Sequence, residues 1–571
     1  MILKSKIYKY SILTIFIFCI IAIKYFPYNI QPTINNPKQN FIKEKYNFSN
    51  SAYGDYLSAS YLTKNLYIEE AAKLYEYSYT KAPNNKILQD YFFTSILSGK
   101  IDQALSSFKN NMPNIMLSNL ALAIKAIKEG KYSKAENFLS NIKESETDKI
   151  IIPIFTIWNN IGENKLKNIE AQFEKLNVSS EKYSLVKLQE AIALDYINYI
   201  AQAEESFDDL FTDPQPAHYI IIGANFYERI GKLEKAKKLY KDHINNNPDN
   251  ILFKQNLKIL ESENFTFPDK LIQNPKQALA IFLHDISSIL YENRLSYQSL
   301  IYAQFALYLD PGYTQTNFIL GTYYLENKNF TEAIKYFNKI HEDSGIYLFA
   351  QINLSTCLYK LKQSEEAKNI LINLSKNYPD TIEPFLVLGD IYREEKNYNG
   401  ALNIYDNLLN HADKNDPRLW LIYYMRAVTN QLNKNFLDSE SDYNKALTLN
   451  PNNATILNDL AYSFIESNKN IDKAYIMAKK AISISPNIPQ FLDTMGWVLY
   501  KKGQYLEAFN YLEKASELLP YDATVNEHLG DLYWKLGRIY NAKYEWQHAY
   551  DNLTDKHEQE RIKDKINNGI K

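Results

Sequence analysis

Residues 493–520 read DTMGWVLYKKGQYLEAFNYLEKASELLP, placing a Trp, three Tyr, paired Lys and several carboxylates in one short run. Those residue types are the raw material of acid–base chemistry or of aromatic ligand capture. Catalysis also needs groups of matched pKa converging on a cleft. The chain has no G-x-x-x-x-G-K-[ST], no H-E-x-x-H, no G-x-S-x-G and no Rossmann glycine pattern after a strand. Its eight histidines are scattered singly. His528 and His548 are near in sequence, but on different predicted helices and with no acidic ligand at telling spacing. Two cysteines, Cys19 and Cys357, are too few for a thiolate zinc cluster, and one sits in an apolar leader, the other in a helical segment. No catalytic residue, cofactor or metal is assigned, and the run must be understood through the elements that carry it.

Those elements repeat. Gly496 is followed by Ala508, Leu512, Ala515 and Pro520, and the next stretch repeats the spacing with Gly530, Ala542, Trp546 and Ala549. Upstream, Ala461 goes with Ala474, Ala478, Ala481 and Pro486, with one residue inserted near Asn470. Gly389 goes with Ala401 and Tyr405, Gly321 with Ala333 and Phe337, Ser355 with Ala367, Leu371 and Pro379. Ala224, Ala236, Tyr240 and Pro248 fit in the first half, as do Ala71, Tyr75 and Pro83. The period is roughly 34 residues. A small residue on a first helix (A) admits a close partner, the later Ala does the same on a second helix (B), and the large residue four further on fills the gap. The Pro ends helix B. One such hairpin cannot bury its own apolar face, so neighbours must stack.

On these positions the chain resembles the tetratricopeptide repeat family over roughly residues 52–550, which implies an all-α fold, a right-handed α-solenoid of helix–turn–helix repeats. Unit starts are expected near 52, 85, 116, 152, 184, 217, 280, 314, 348, 382, 420, 454, 489 and 523, with the unit from 152 degenerate and Ser299 and Ser439 standing in for the helix-B Ala. The phase breaks in ILFKQNLKILESENFTFPDKLIQNPKQA, so an N-terminal array at 52–250, an irregular break at 251–279, a C-terminal array at 280–550 and a polar capping helix at 551–571 are expected. The resemblance further implies a concave groove lined by helix-A positions 2, 5, 9, 12 and 13. In the last three units it points to Asn458, Tyr462, Asp493, Trp497, Tyr500, Lys501, Glu527, Asp531, Trp534 and Lys535 as protein-binding candidates. Aromatics beside charges on a rigid wall suit an extended peptide or a partner's helix. Packing between A helices is the competing role for Trp497 and Trp534. LNDLAYSFIE, DTMGWVLYKKG, EAFNYLEKA and NEHLGDLYWKLGR are also similar to tetratricopeptide proteins of Gram-negative envelopes, some of them lipoproteins that deliver substrates to a processing protease.

Composition limits the partners. Lys+Arg 64 against Asp+Glu 66 leaves a net charge of -2 with no basic block, which excludes a nucleic-acid footprint. Tyr 47 is high, and with abundant Ile, Lys and Asn it reads as codon bias. Lys4, Lys6 and Lys9 precede an apolar run from Ser11 to Ile23, so residues 1–26 read as a signal anchor or signal peptide and 27–51 as a polar linker. Phe18 before Cys19 departs from a lipoprotein signal. The expectation is a non-enzymatic scaffold anchored in a bacterial inner membrane with its repeats in the periplasm. A secreted repeat protein that engages host or neighbouring-cell proteins, and a regulatory subunit or unrecognised enzyme, are the alternatives.

Overall fold

A computed structural model describes residues 51–107, 116–142, 149–176, 180–246, 251–262, 265–293, 296–379, 381–412, 414 and 416–570, and among these only helices, turns and loops occur. The predicted anchor at 1–26 and all of the linker but Ser51 lie outside the described residues. No described helix is long and apolar enough to cross a membrane.

Helices alternate as A and B. Ala454–Glu466 packs on Ile471–Ile484, Pro489–Lys501 on Tyr505–Leu518, and Ala523–Lys535 on Ile539–Asn552. Starts follow local chemistry: the Asn453 and Asp522 side chains accept first-turn N–H groups, and Pro489 stands where no N–H is needed. Ends are equally regular. The A helices close on Lys328, Lys362, Lys396, Lys434, Asn468, Gly503 and Gly537, all left-handed with φ between 54° and 76°. The next residue then donates back across the turn, as Gln504 N–H does to the Leu499 carbonyl at 2.9 Å.

The small-against-large logic is visible inside each hairpin. A Cβ on Gly496 would lie 2.5 Å from Leu512 Cγ, and one on Gly530 2.5 Å from Trp546 Cδ1. Leu512, Trp546 and the flanking Ala508, Ala515, Ala542 and Ala549 are all 0% exposed. Full burial of a side chain such as Leu512 contributes about 1.5–3 kcal/mol. Ser439 and Ser299 keep the close approach by donating to the Ala427 and Ser287 carbonyls of the facing helix, each at 2.9 Å.

Packing divides the chain into two units, Asn47–Ile370 and Leu371–Lys571, so the boundary falls within helix Ser364–Asn377. In the first unit the phase break at 251–279 is a crossing. From Phe265 to Asn274 the chain runs without helix, held by Asn225 Nδ2 to the Asp269 carbonyl (2.9 Å) and by Lys270 Nζ to the Asp195 carbonyl (2.8 Å). It then enters Pro275–Glu292, whose residues from Ala278 to Ser287 are all buried. A helix buried all round belongs to a core, not to a surface. Its partners are Ile151–Gly162 and Ser180–Tyr196: Phe282 meets Phe155 edge-on at 6.4 Å, and Gln189 links Trp158 to the Ala278 carbonyl. Further on, Tyr297 and Asn329 donate to the Thr63 and Leu66 carbonyls of the first repeat. The inner face of the early repeats is thus filled by their own continuation.

The second unit keeps an open order. Glu383–Glu394, Leu419–Leu432, Ala454–Glu466, Pro489–Lys501 and Ala523–Lys535 each touch the next, forming an inner row of A helices. Helix Lys556–Asn568 packs on the last hairpin and buries Ile562 completely.

Candidate protein-binding site

The inner row brings residues one repeat apart into contact, so its side chains form a ladder. Tyr424 donates to Asp459 at 2.7 Å across 35 residues, and His528 Nδ1 lies 2.9 Å from Asp493 Oδ1 across another 35. The candidate residues occupy this ladder in two different ways.

Tyr462, Asp493, Trp497, Tyr500 and Lys501 gather around His528. Trp497 stacks on the His528 ring at 4.0 Å and on Tyr500 at 4.5 Å, both 13° from parallel. Tyr462, two A helices earlier in the row, lies 6.4 Å from His528, and Lys501 Nζ sits 5.0 Å from the Trp497 ring. Tyr462, Trp497 and Tyr500 are half-buried and Lys501 is exposed, while Asp493 and His528 are buried. Burial opposes a charge on His528, but Asp493, with Glu527 and Asp531 behind it, outweighs that and holds its pKa above the ordinary histidine value. A cation stacked on an indole strengthens the contact. Asn458 is buried and donates to Asp459 at 3.2 Å.

Glu527, Asp531 and Trp534 face the chain's own terminus. Arg561 donates through both Nη atoms to Glu527, and Lys565 Nζ bonds Glu527 at 2.5 Å and Asp531 at 2.7 Å. Arg561 and Lys565 each stand 34 residues after the carboxylate they grip, so helix Lys556–Asn568 takes the place that the A helix of a further repeat would fill. Burial raises both carboxylates. At Glu527 two cations overcome this and bring it down to about 2, whereas Asp531 has Lys565 but also Glu527 beside it and stays raised. A Cβ on Gly569 would lie 2.0 Å from Trp534 Cζ2, so the terminal backbone rests on that indole. Lys535 is exposed at the rim.

The arrangement therefore ties the carboxylates into the fold and leaves half-covered aromatic rings with Lys501 as the accessible part. His528 belongs to this site although its sequence position marked it only as a packing or surface histidine. Cys357 is fully buried, and burial pushes its thiol up to about 12, which removes it from nucleophilic chemistry at neutral pH.

Tetratricopeptide repeat family models match residues 324–391 and 421–453. The chain contains tetratricopeptide repeats. Among characterised relatives, it is 26% identical over 216 residues to the TPR repeat-containing protein PA4667 of Pseudomonas aeruginosa, covering 38% of this chain and 36% of that one. It is 20% identical over 216 residues to the protein O-mannosyl-transferase TMTC1 of Homo sapiens, covering 37% of this chain and 20% of that one. The tetratricopeptide repeat chain thus spans about a third and a fifth of those relatives' lengths. A solved tetratricopeptide repeat protein from Parabacteroides merdae aligns with 45% of this chain and 99% of its own, at 16% identity and a TM-score of 0.38. Tetratricopeptide repeats are protein-interaction scaffolds, which fits a face built of aromatic rings and satisfied charges.

Proposed function

We propose that this chain is a non-enzymatic scaffold that holds an extended segment or helix of a protein partner against the Tyr462–Trp497–Tyr500 face. The observation that carries the reading is the half-exposed Trp497, held rigid between His528 and Tyr500 and flanked by Lys501. Preorganised aromatic anchors of this kind dominate binding energies, with truncation losing about 2 kcal/mol or more. The carboxylates do not compete for the partner's charges, because His528, Arg561 and Lys565 already engage them.

The reading extends to the envelope. Three lysines ahead of an apolar run support a tether through residues 1–26 that leaves the repeats in the periplasm. The likeness of the last units to envelope proteins supports delivery of clients to a protease or to cell-wall machinery. Site-specific photocrosslinking in cells tests both: a probe at Lys501 should capture an envelope protein that a probe at the outward Leu506 does not. Trp497→Ala should remove that adduct while leaving the helical signal intact. Capture unchanged by Trp497→Ala sinks the assignment of this face.

A further inference from the structure

The first unit contains a second polar cluster that the repeat pattern does not explain. His218 and Tyr219 stand in the first turn of helix Ala217–Arg229, His284 and Asp285 in the middle of the buried helix Pro275–Glu292, and Tyr313 and Thr316 at the start of Thr314–Glu326. The crossing segment brings these three elements together. His218 Nε2 lies 2.8 Å from Asp285 Oδ1, and Tyr219 donates to Asp285 Oδ2 at 3.1 Å. The two imidazoles meet edge to face at 5.3 Å. One ligating atom from each of His218, His284 and Asp285 lies within 4.8 Å of the other two.

We propose that His218, His284 and Asp285 form a binding site for a divalent transition-metal ion of the zinc class. Two imidazoles and one carboxylate suit that class and leave a fourth position to water or a phenol. The surroundings are those of an oriented ligand set. Thr316 Oγ1 contacts His284 Nδ1 at 3.2 Å, which leaves Nε2 as the ligand atom, and Tyr219 steadies the carboxylate through its second oxygen. Independently, the Tyr313 hydroxyl is buried with no hydrogen-bond partner, and its ring packs edge-on against His284 at 5.3 Å. A buried orphan hydroxyl, on a ring packed against one of the two imidazoles, is costly unless something fills the place. On binding, the His218–Asp285 hydrogen bond opens and both atoms turn to the ion, His218 carrying its proton on Nδ1. The ion then joins helix Ala217–Arg229, upstream of the crossing, to helix Pro275–Glu292 after it, fastening the inserted helix inside the early repeats.

The test uses the full chain without a purification tag, titrated with zinc by calorimetry and with cobalt(II) by visible absorption. One equivalent should bind, with a cobalt band of four- or five-coordinate character and a rise in melting temperature. His284→Gln and His218→Gln should each weaken binding at least tenfold, and His557→Gln, at an exposed position on the terminal helix, should leave it unchanged. His218 is partly exposed at a helix start, so its variant keeps the test valid should the buried His284→Gln fail to fold. Wild-type protein that takes up no metal at about 0.1 mM, or binding that survives His218→Gln, overturns the proposal.

Discussion

His528 Nδ1 lies 2.9 Å from Asp493 Oδ1, joining the A helices of two successive repeats directly beneath Trp497. Because Asp493 holds the His528 pKa above its unfolded value near 6.5, the pair stabilises the second unit fully below about pH 6.5. That contribution is lost as pH rises through the higher folded value. The urea midpoint of wild type should fall between pH 6 and pH 9, and His528→Gln should flatten the dependence. In Asp493→Asn burial becomes the larger effect, so the slope should invert. Parallel curves for all three proteins would remove the pair from the stability of the fold.

Arg561 and Lys565 hold the terminal helix on the last repeat through Glu527 and Asp531. Arg561 is 42% exposed, so solvent screening limits its share. Arg561→Ala with Lys565→Ala should lower the local stability of Lys556–Asn568 by about 1–2 kcal/mol, read as faster amide exchange at Ile562 and Ile566. Glu527 is depressed to about 2, so its contribution is complete above the ordinary carboxylate value of about 4.3 and disappears as pH falls through about 2. Exchange of the terminal helix should therefore accelerate in that acid window in wild type and not in Glu527→Gln.

Much of this architecture could be read from residue spacing because close packing of helix pairs constrains which sizes can face each other. Gly496 and Leu512, or Gly530 and Trp546, sit sixteen residues apart for that reason, and the structure shows each pair in contact. The repeat length also carried a signal for the terminal helix, since Arg561 and Lys565 continue the 34-residue register of Glu527 and Asp531 with opposite charge. Spacing alone does not fix helix rotation, so which of Asp493, Trp497 and Glu527 would be engaged within the chain was not legible. The insertion of Pro275–Glu292 was hidden for another reason. It depends on where an out-of-phase segment sends the chain, and His218 and His284 meet only because of that crossing.

Gly530 serves packing space. A Cβ there would lie 2.5 Å from the Trp546 indole and 3.2 Å from the Ala542 carbonyl, and the indole is anchored by its Nε1–H on Asp531 at 2.9 Å. Gly530→Ala should destabilise the second unit by about 1–3 kcal/mol through overpacking. Trp546→Leu removes the obstructing ring, so the double variant should lose less than the sum of the two single losses. Chemical denaturation of the four proteins measures that coupling, and additive losses would show that the ring is not what excludes the methyl group.

Gly503 and Lys434 separate backbone conformation from space. Both end an A helix in the left-handed region, with φ of 76° and 61°. Nothing lies within 4 Å of where a Gly503 Cβ would stand, so Gly503→Ala should be opposed by backbone conformation alone, by about 1 kcal/mol. Lys434 already bears that strain on an exposed side chain, while its N–H and that of Asn435 donate back to the Gln431 and Asn430 carbonyls. Lys434→Gly should keep both bonds and relieve the strain, partly offset by the greater freedom of unfolded glycine, for a net gain of about 0.5–1 kcal/mol. The urea midpoint should move up for Lys434→Gly and down for Gly503→Ala at unchanged slope. Equal shifts of one sign would mean that the turn does not impose the left-handed conformation in solution.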